Sequence, residues 1–484
     1  MSDETRVAAA IEPTAPGESN IRSFQNRGAE MRFHGAGELR GLNVPRSWYF
    51  DSGRFGRLFP MLPPFHADPG ALLELGKAGG PMDGGLTAPD NPSGLPVGFT
   101  FLGQFIDHDI TFDPTSSLER QVDPEAVANF RTPTLELDNV YGSGPGASPH
   151  LYDRRNRNKL LIGDGTTTHD VPRNAQAVAL IGDPRNDENL IVSQIHLAFL
   201  RFHNAVVDDV ATTPVPGRST FEEAQRRVRW HYQWMIVHEF LPHIVGKKMV
   251  EDVLKNGRKF YDWRHEPFMP VEFSVAAYRF GHSQVRPGYT LRPGKQFPIF
   301  VADPPPPDQP RKDLSGSRPI AADETIEQAL FFKLQGPPPA SKAIDTKLSS
   351  PLLNLPLFGL PDKHPERSLA TRNLLRHLTF GLPTGQAVAQ AMSETPLTPD
   401  DLKAVRDLGF DQETPLWYYI LAEAELEEKG AHLGAVGGRI VAEVLIGLIQ
   451  GDRMSYLRQN PKWKPFLGKD GDFTMADLFA LIGA

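Results

Sequence analysis

A helical repeat of apolar side chains over three long stretches constrains this chain more than any other feature. Across 189–210, Ile191, Ile195, Ala198, Phe199 and Phe202 fall on one stripe of a 3.6-residue period, and 222–245 and 437–457 behave alike. Strand-like alternation is short and scattered, and no repeat of solenoid or propeller length recurs. The expected fold class is mainly α, a single large, loop-rich helical domain; 484 residues with 40% hydrophobic content can bury such a core. Proline and glycine number 45 and 43 and gather in runs such as 303–310 and 336–339, which read as extended surface connections. Residues 1–30 are polar and poor in large apolar side chains, so they read as an extension, mobile or strapped over a body formed by 31–484.

Charge and composition remove several function classes. With 51 Lys and Arg against 59 Asp and Glu, the formal charge is −8, which argues against a general nucleic-acid binder. The chain has no cysteine, so disulfides, thiolate nucleophiles, iron–sulfur clusters and Cys-ligated zinc are excluded. Any metal must rely on His, carboxylates or carbonyls. The acidic N-terminus lacks the apolar core of a signal peptide, which leaves a cytoplasmic or a non-classically secreted protein open. No membrane span is expected: the apolar run 440–449 contains Glu443 and falls short of the ~20 residues needed. It reads as a buried helix.

Five separated segments carry chemistry. In the first, Gln104, Asp107, His108 and Asp109 begin a helix in which Gln104 and His108 share a face. A helix start with satisfied polar groups explains them, and so does a neutral imidazole that shuttles a peroxide proton. In the second, Pro184 and the acids Asp187 and Glu188 suit a helix N-terminus, but Arg185 is a cation in the wrong place for the dipole. Such local conflicts mark functional sites. In the third, His282 follows Gly281 after an apolar approach; it reads as a core or loop histidine or as a haem ligand whose second ring nitrogen meets an acceptor. In the fourth, Asn373 and Arg376 share a helical face that ends at Gly381 and Pro383. In the fifth, Thr132, Thr134, Glu136 and Asp138 alternate along an extended segment, forming either a polar strand face or, with Asp109, an oxygen cage for calcium.

Taken in this order, the five segments resemble the animal-type haem peroxidases of the peroxidase-cyclooxygenase superfamily. The resemblance runs from about Phe101 to Pro383, with a weaker tail over 437–457. It implies a mostly helical fold around haem b and a peroxidase that consumes hydrogen peroxide, with a place in the response to oxidative stress. Its distal Gln-x-x-Asp-His-Asp falls on Gln104, Asp107, His108 and Asp109, its Arg-x-x-Glu on Arg185 and Glu188, and its proximal Gly-His on Gly281 and His282. His282 is then the iron ligand, His108 the acid–base group, Arg185 the stabiliser of developing charge, and Asn373 the acceptor from the proximal ring. Arg279 and Arg376 lie near the propionates. The resemblance further implies calcium at Asp109, Thr132, Thr134, Glu136 and Asp138, and ester links from Asp107 and Glu188 to the haem. Asn189 stands where strong chloride oxidisers carry Met, so phenols, thiocyanate and halides other than chloride are the expected small-molecule electron donors.

Other readings remain to be weighed. A fatty-acid dioxygenase or cyclooxygenase of the same superfamily would place a radical tyrosine three residues before the proximal histidine, where this chain has Arg279, with Tyr278 one step further. Lipid or fatty acid is therefore a second substrate class. A metal-dependent hydrolase is suggested by His238 and His243, but their spacing is wrong for the zinc-protease motif and Pro242 interrupts it. A non-enzymatic descendant that binds haem or lipid is the third. His196, His203, His231 and His377 read as structural.

Overall fold

A computed structural model of the protein describes residues 53–111, 128–129, 133–163, 168–263, 266–301, 312–357 and 364–483. The stretch 1–30, the proline run 303–310 and Thr132 lie outside the described residues. The stripe over 189–210 is the helix Leu190–Thr212, capped by Asn189, whose side-chain oxygen accepts from the Val192 amide at 2.9 Å. Among the described residues this one helix is long and apolar enough to cross a membrane, yet 83% of its most apolar window is buried inside the protein. Its apolar surface therefore serves the core. Phe105 from the helix Gly98–Ile110 stacks on Phe199 at 4.7 Å, with Tyr232 edge-on to both. Burying each such ring contributes about 1.5–3 kcal/mol.

The expected helix over 222–245 forms, but in three pieces. Thr220–Met235 opens with a capping box between Ser219 and Glu222, a wide turn follows at Ile236–Phe240, and Leu241–Val245 closes it. Pro242 supplies the reason, since its ring crowds the preceding turn and it has no amide hydrogen. Widening the turn, with the Leu241 amide bonded to the Ile236 carbonyl, makes room. The third stretch also ends early: Ala435–Gly451 is helical, and Asp452 turns extended before the short helix Tyr456–Gln459. Glu443, the acid inside the apolar run, is buried and accepts from the Lys259, Phe260 and Tyr261 amides at 2.9, 2.8 and 3.0 Å. A carboxylate there ties a loop to the core helix.

Helices thus dominate, as expected, and the strands are minor. Gly53–Gly56 pairs antiparallel with Ala128–Asn129 and parallel with Met269–Pro270, and Gly288–Arg292 forms a hairpin with Lys295–Pro298. The helix Gly98–Ile110 packs on Leu190–Thr212, which in turn packs on Thr220–Met235. Leu416–Glu427 and Ala435–Gly451 pack against the irregular segment from Glu272 to His282. Two buried scaffolds therefore support the site, one behind His108 and one behind His282.

Candidate active site

One cavity of about 660 Å³ gathers most of the side chains that the sequence singled out. Gln104, Asp107, His108, Arg185, Glu188, Arg279, His282 and Arg376 all line it, and Phe99, Phe101, Val275, Ile299 and Phe300 give it apolar walls. Asn373 stands behind His282, in contact with its ring. Of the fifth segment, Thr134, Glu136 and Asp138 are absent from its lining, and Thr132 lies outside the described residues.

The distal side is built from one helix and one turn. On Gly98–Ile110, helical spacing turns Gln104, Asp107 and His108 toward the cavity. His108 donates from Nδ1 to Asn186 Oδ1 at 2.8 Å, and its Nε2 lies 3.8 Å from Glu188 Oε1. Burial, reinforced by the Arg185 charge, pushes this histidine down to about 4, so it is neutral near pH 7. Burial raises Glu188 to about 7; Gln104 donates to its carboxyl and Asn189 donates to Gln104 at 3.0 Å. Arg185 sits in the short helix Pro184–Asp187, and Asp183, fully buried, accepts from its Nε at 3.1 Å and its Nη2 at 2.9 Å. The same Nη2 donates to the His108 and Thr111 carbonyls. The guanidinium is thus oriented before any ligand arrives.

Behind this turn lies a second layer. Arg173 forks between two buried carboxylates, reaching Asp187 at 2.7 Å through both terminal nitrogens and Asp170 at 2.8 Å through Nε. The backbone around Gly316 presses on the other side, with its amide bonded to the Glu188 carbonyl at 2.9 Å. A Cβ at Gly316 would stand 1.9 Å from the Asp187 carbonyl oxygen, so only glycine permits this approach.

The proximal side centres on His282, at the end of the short helix Ala277–His282. Burial, with Arg279 and Arg372 adding repulsion, pushes the ring down to about 3. Arg279 donates to the Ser274 carbonyl at 3.0 Å and to Asn373 Oδ1 at 2.9 Å. Burial first, then the charges of Arg376 and Arg372, lowers Arg279 to about 10. Three guanidiniums crowded into one cavity wall suit an anionic occupant. Asn373 Nδ2 lies 2.7 Å from His282 Nδ1, so the amide donates to the ring, the reverse of the expected direction. Arg279 is the physical reason, because it already claims the amide oxygen. Were His282 to hold a metal through its other nitrogen, Nδ1 would carry the proton and the Asn373 oxygen would have to face the ring in place of Arg279.

Asp109 is fully buried and accepts from the Leu137 amide at 3.1 Å, holding Leu137 at φ 61 just before the helix Asp138–Tyr141. Over its described residues, 133–138, the fifth segment is therefore a bent loop leading into a helix turn and not an extended strand, although its in-and-out burial alternates as expected. Glu136 turns away from Asp109 toward Arg229, at 3.6 Å. Thr134 Oγ1 is buried without a hydrogen-bond partner. Among the described residues no three His, Asp or Glu side chains gather as a metal cage, and His238 and His243 do not converge: one stacks on Trp234 and the other meets Phe99.

Sequence reading missed Asp183, Asn186, Arg173 and Arg372, and it took His196 as structural; its buried ring is bonded to Asn186 at 3.0 Å. Asp183 and Asn186 flank Arg185 and could have been suspected from that adjacency. For His196 no local signal exists, since its link to His108 runs through a residue from another turn.

The sequence profile of the animal haem peroxidases matches residues 118–405, more than half of the chain. The chain belongs to the animal haem peroxidase family. The family match holds Arg185, Glu188, Arg279, His282, Asn373 and Arg376, while Gln104, Asp107 and His108 precede it and join the site by geometry. A peroxidase-like protein of Margaritifera margaritifera is 34% identical over 111 residues, covering 22% of this chain and 14% of that one. Dual oxidase of Drosophila melanogaster is 27% identical over 210 residues, covering 42% and 13%. The chain thus spans only a small part of these relatives' length. Peroxidase A of Dictyostelium discoideum shares the fold with a TM-score of 0.65 at 18% identity, covering 90% of this chain and 94% of that one. An Oryza sativa fatty acid alpha-dioxygenase solved with palmitic acid does so at 0.58 and 16%, covering 82% and 73%.

Proposed function

We propose that this family member is a peroxidase that uses haem b and hydrogen peroxide to oxidise small donors such as phenols, thiocyanate and halides other than chloride. The observation that carries the reading is a cavity lined at once by a neutral, amide-anchored His108 with Arg185 and by His282 with three guanidiniums. His282 would hold the iron, and Arg279, Arg372 and Arg376 would meet the propionates. When bound, haem supplies the iron that takes up peroxide and the ring that stores oxidising equivalents. His108 accepts the peroxide proton at Nε2 and passes it to the departing oxygen, which leaves as water. Arg185, held by Asp183, stabilises the charge that develops as the oxygen–oxygen bond breaks. The test is an absorption band near 400 nm together with peroxide-dependent oxidation of a phenolic dye; a colourless, inert protein after haem loading would overturn the reading.

Because His108 titrates at about 4, protonation removes the base only in acid. The rate of the peroxide step should fall as pH drops through the value near 4, in wild type and in Glu188→Gln alike, the variant removing the carboxyl that sits beside the same ring and is raised to about 7. A stopped-flow profile of Glu188→Gln breaking near 6.5, the ordinary histidine value, would contradict this. Asp107 and Glu188 both face the cavity, which supports ester attachment of the haem; pigment that extracts fully into acid-acetone after peroxide turnover would exclude it.

A calcium ion is the second proposed component. Burial raises the Tyr232 hydroxyl and the charges of Asp109 and Asp138 add to it, and the buried Thr134 hydroxyl has no partner, which suits a hard cation. Asp109, Thr134 and Asp138 would hold it, with Thr132 as a further candidate and Glu136 drawn off by Arg229. Asp109 follows His108 directly, so chelation should slow the peroxide step by about 10-fold. Full turnover by protein shown to be calcium-free would remove this component.

A second function has one specific support. The apolar cavity walls and the palmitate-bound structural neighbour favour a fatty acid as an alternative occupant. Tyr278 lines the cavity, but its hydroxyl donates to the Gly103 carbonyl at 3.3 Å. Oxygen uptake with a fatty acid and no added peroxide would move the assignment to a dioxygenase.

A further inference from the structure

His108, Asn186 and His196 form a buried relay that the proposed reaction leaves unexplained. Their exposures are 4%, 0% and 0%, so no bulk water competes for the bonds between them. Asn186 Oδ1 lies 2.8 Å from His108 Nδ1, and Asn186 Nδ2 lies 3.0 Å from His196 Nδ1. A primary amide has donors only on nitrogen and acceptors only on oxygen. Its two ends therefore impose opposite states on the two rings: His196 must offer a lone pair at Nδ1, and His108 must offer an N–H there.

The consequence appears at the other nitrogen of His108. With its proton on Nδ1, the neutral ring is bare at Nε2, the atom that points toward Glu188 in the cavity. Turning the amide over would move the proton to Nε2 and leave nothing there to accept another. Asn186 alone cannot choose, because either end can face His108. The far end donates to His196 Nδ1, so the choice rests on His196 keeping its proton on Nε2, a buried atom with no hydrogen-bond partner. Phe105 lies edge-on to His196 at 6.1 Å, and Phe105 shares the helix of His108, so the relay is packed between the two elements that carry its ends.

We propose that His196 is a positioning residue that, through Asn186, locks His108 in the tautomer with a bare Nε2. Its effect on rate rests on the peroxidase reading above, whereas the lock is a property of the resting protein. A bland structural role would need His196 only to fill space and satisfy a buried amide.

The test uses the full chain with ¹⁵N-labelled histidine, loaded with diamagnetic zinc protoporphyrin, and assigns the His108 signals by their loss in His108→Gln. Wild type should show a protonated Nδ1 and a bare Nε2. In His196→Phe, which keeps an aromatic ring and removes the acceptor, the Nε2–H form should gain population, and the iron-loaded protein should react with peroxide about 100-fold more slowly. His196→Gln, whose amide oxygen can accept from Asn186, should restore both. If His196→Phe does not fold, Asn186→Leu breaks the same relay at its centre and Asn186→Asp, which can only accept, should preserve the His108 tautomer. Unchanged ring shifts in His196→Phe, or equal rate losses in the Phe and Gln variants with no change of tautomer, would overturn the proposal. A locked tautomer in a protein inert to peroxide would uphold the lock and sink the peroxidase reading instead.

Discussion

Replacing His108 with leucine should slow the reaction of the haem-loaded protein with hydrogen peroxide by about 10³-fold, inside the 10²–10⁴ range of a positioned acid–base group and equal to about 4 kcal/mol in the barrier. Leucine fills similar space and offers no proton acceptor. Of the residues proposed to hold the haem, Asp107 shares the helix of His108, but His282, Arg279, Arg372 and Arg376 lie on other elements, so pigment binding should survive. Arg185 is anchored to Asp183, and its hydrogen bond to His108 goes to the backbone carbonyl, which leucine keeps. The loss should therefore appear in the peroxide step, measured by stopped flow, while the resting absorption spectrum stays close to wild type. A variant within tenfold of wild type would show that another group moves the proton, and Glu188, 3.8 Å from the same ring nitrogen, would be the first to examine.

What the sequence made legible follows how local each signal is. The long helices were readable because an amphipathic stripe is written within a few turns, and the stripe over 189–210 matches Leu190–Thr212 closely. The site was readable because each motif brings two or three of its members together on one turn, as Gln104 with His108 and Asn373 with Arg376 do. The broken helix at Ile236–Phe240 depended on how one proline would be accommodated, and the early stop at Gly451 on a loop junction. The least legible part was the buried polar layer behind the motifs. Arg173 reaches Asp187 from a loop, Asn186 reaches His108 across 78 residues, and Gly316 matters only because a distant backbone rests on it. Such contacts have no period and no spacing, and they exist only once the chain has folded.

That layer carries the largest expected effect on stability. Arg173→Ala should destabilise the protein by about 3–5 kcal/mol, the cost of removing one partner from a buried ion network. Arg173 and its two carboxylates keep no more than 8% of their side chains exposed, and the guanidinium also donates to the Ala177 carbonyl at 3.0 Å. Without it Asp187 remains buried with a charge that, among the described side chains, Ser193 at 3.4 Å is left to meet. Burial already pushes Asp187 above the usual carboxylate range while Arg173 pulls it down, so losing the arginine must raise it further. A carboxylate raised in the folded state binds more protons than in the unfolded chain, and stability then falls as pH rises. The gap between variant and wild type should accordingly be widest near pH 8 and narrow toward pH 5 in denaturant titrations. A loss below about 1 kcal/mol at neutral pH would mean that water or a neighbouring donor replaces the fork. Because Asp187 precedes Glu188 and ends the turn that presents Arg185, the same variant should also weaken the peroxide step, more than its remaining folded fraction accounts for.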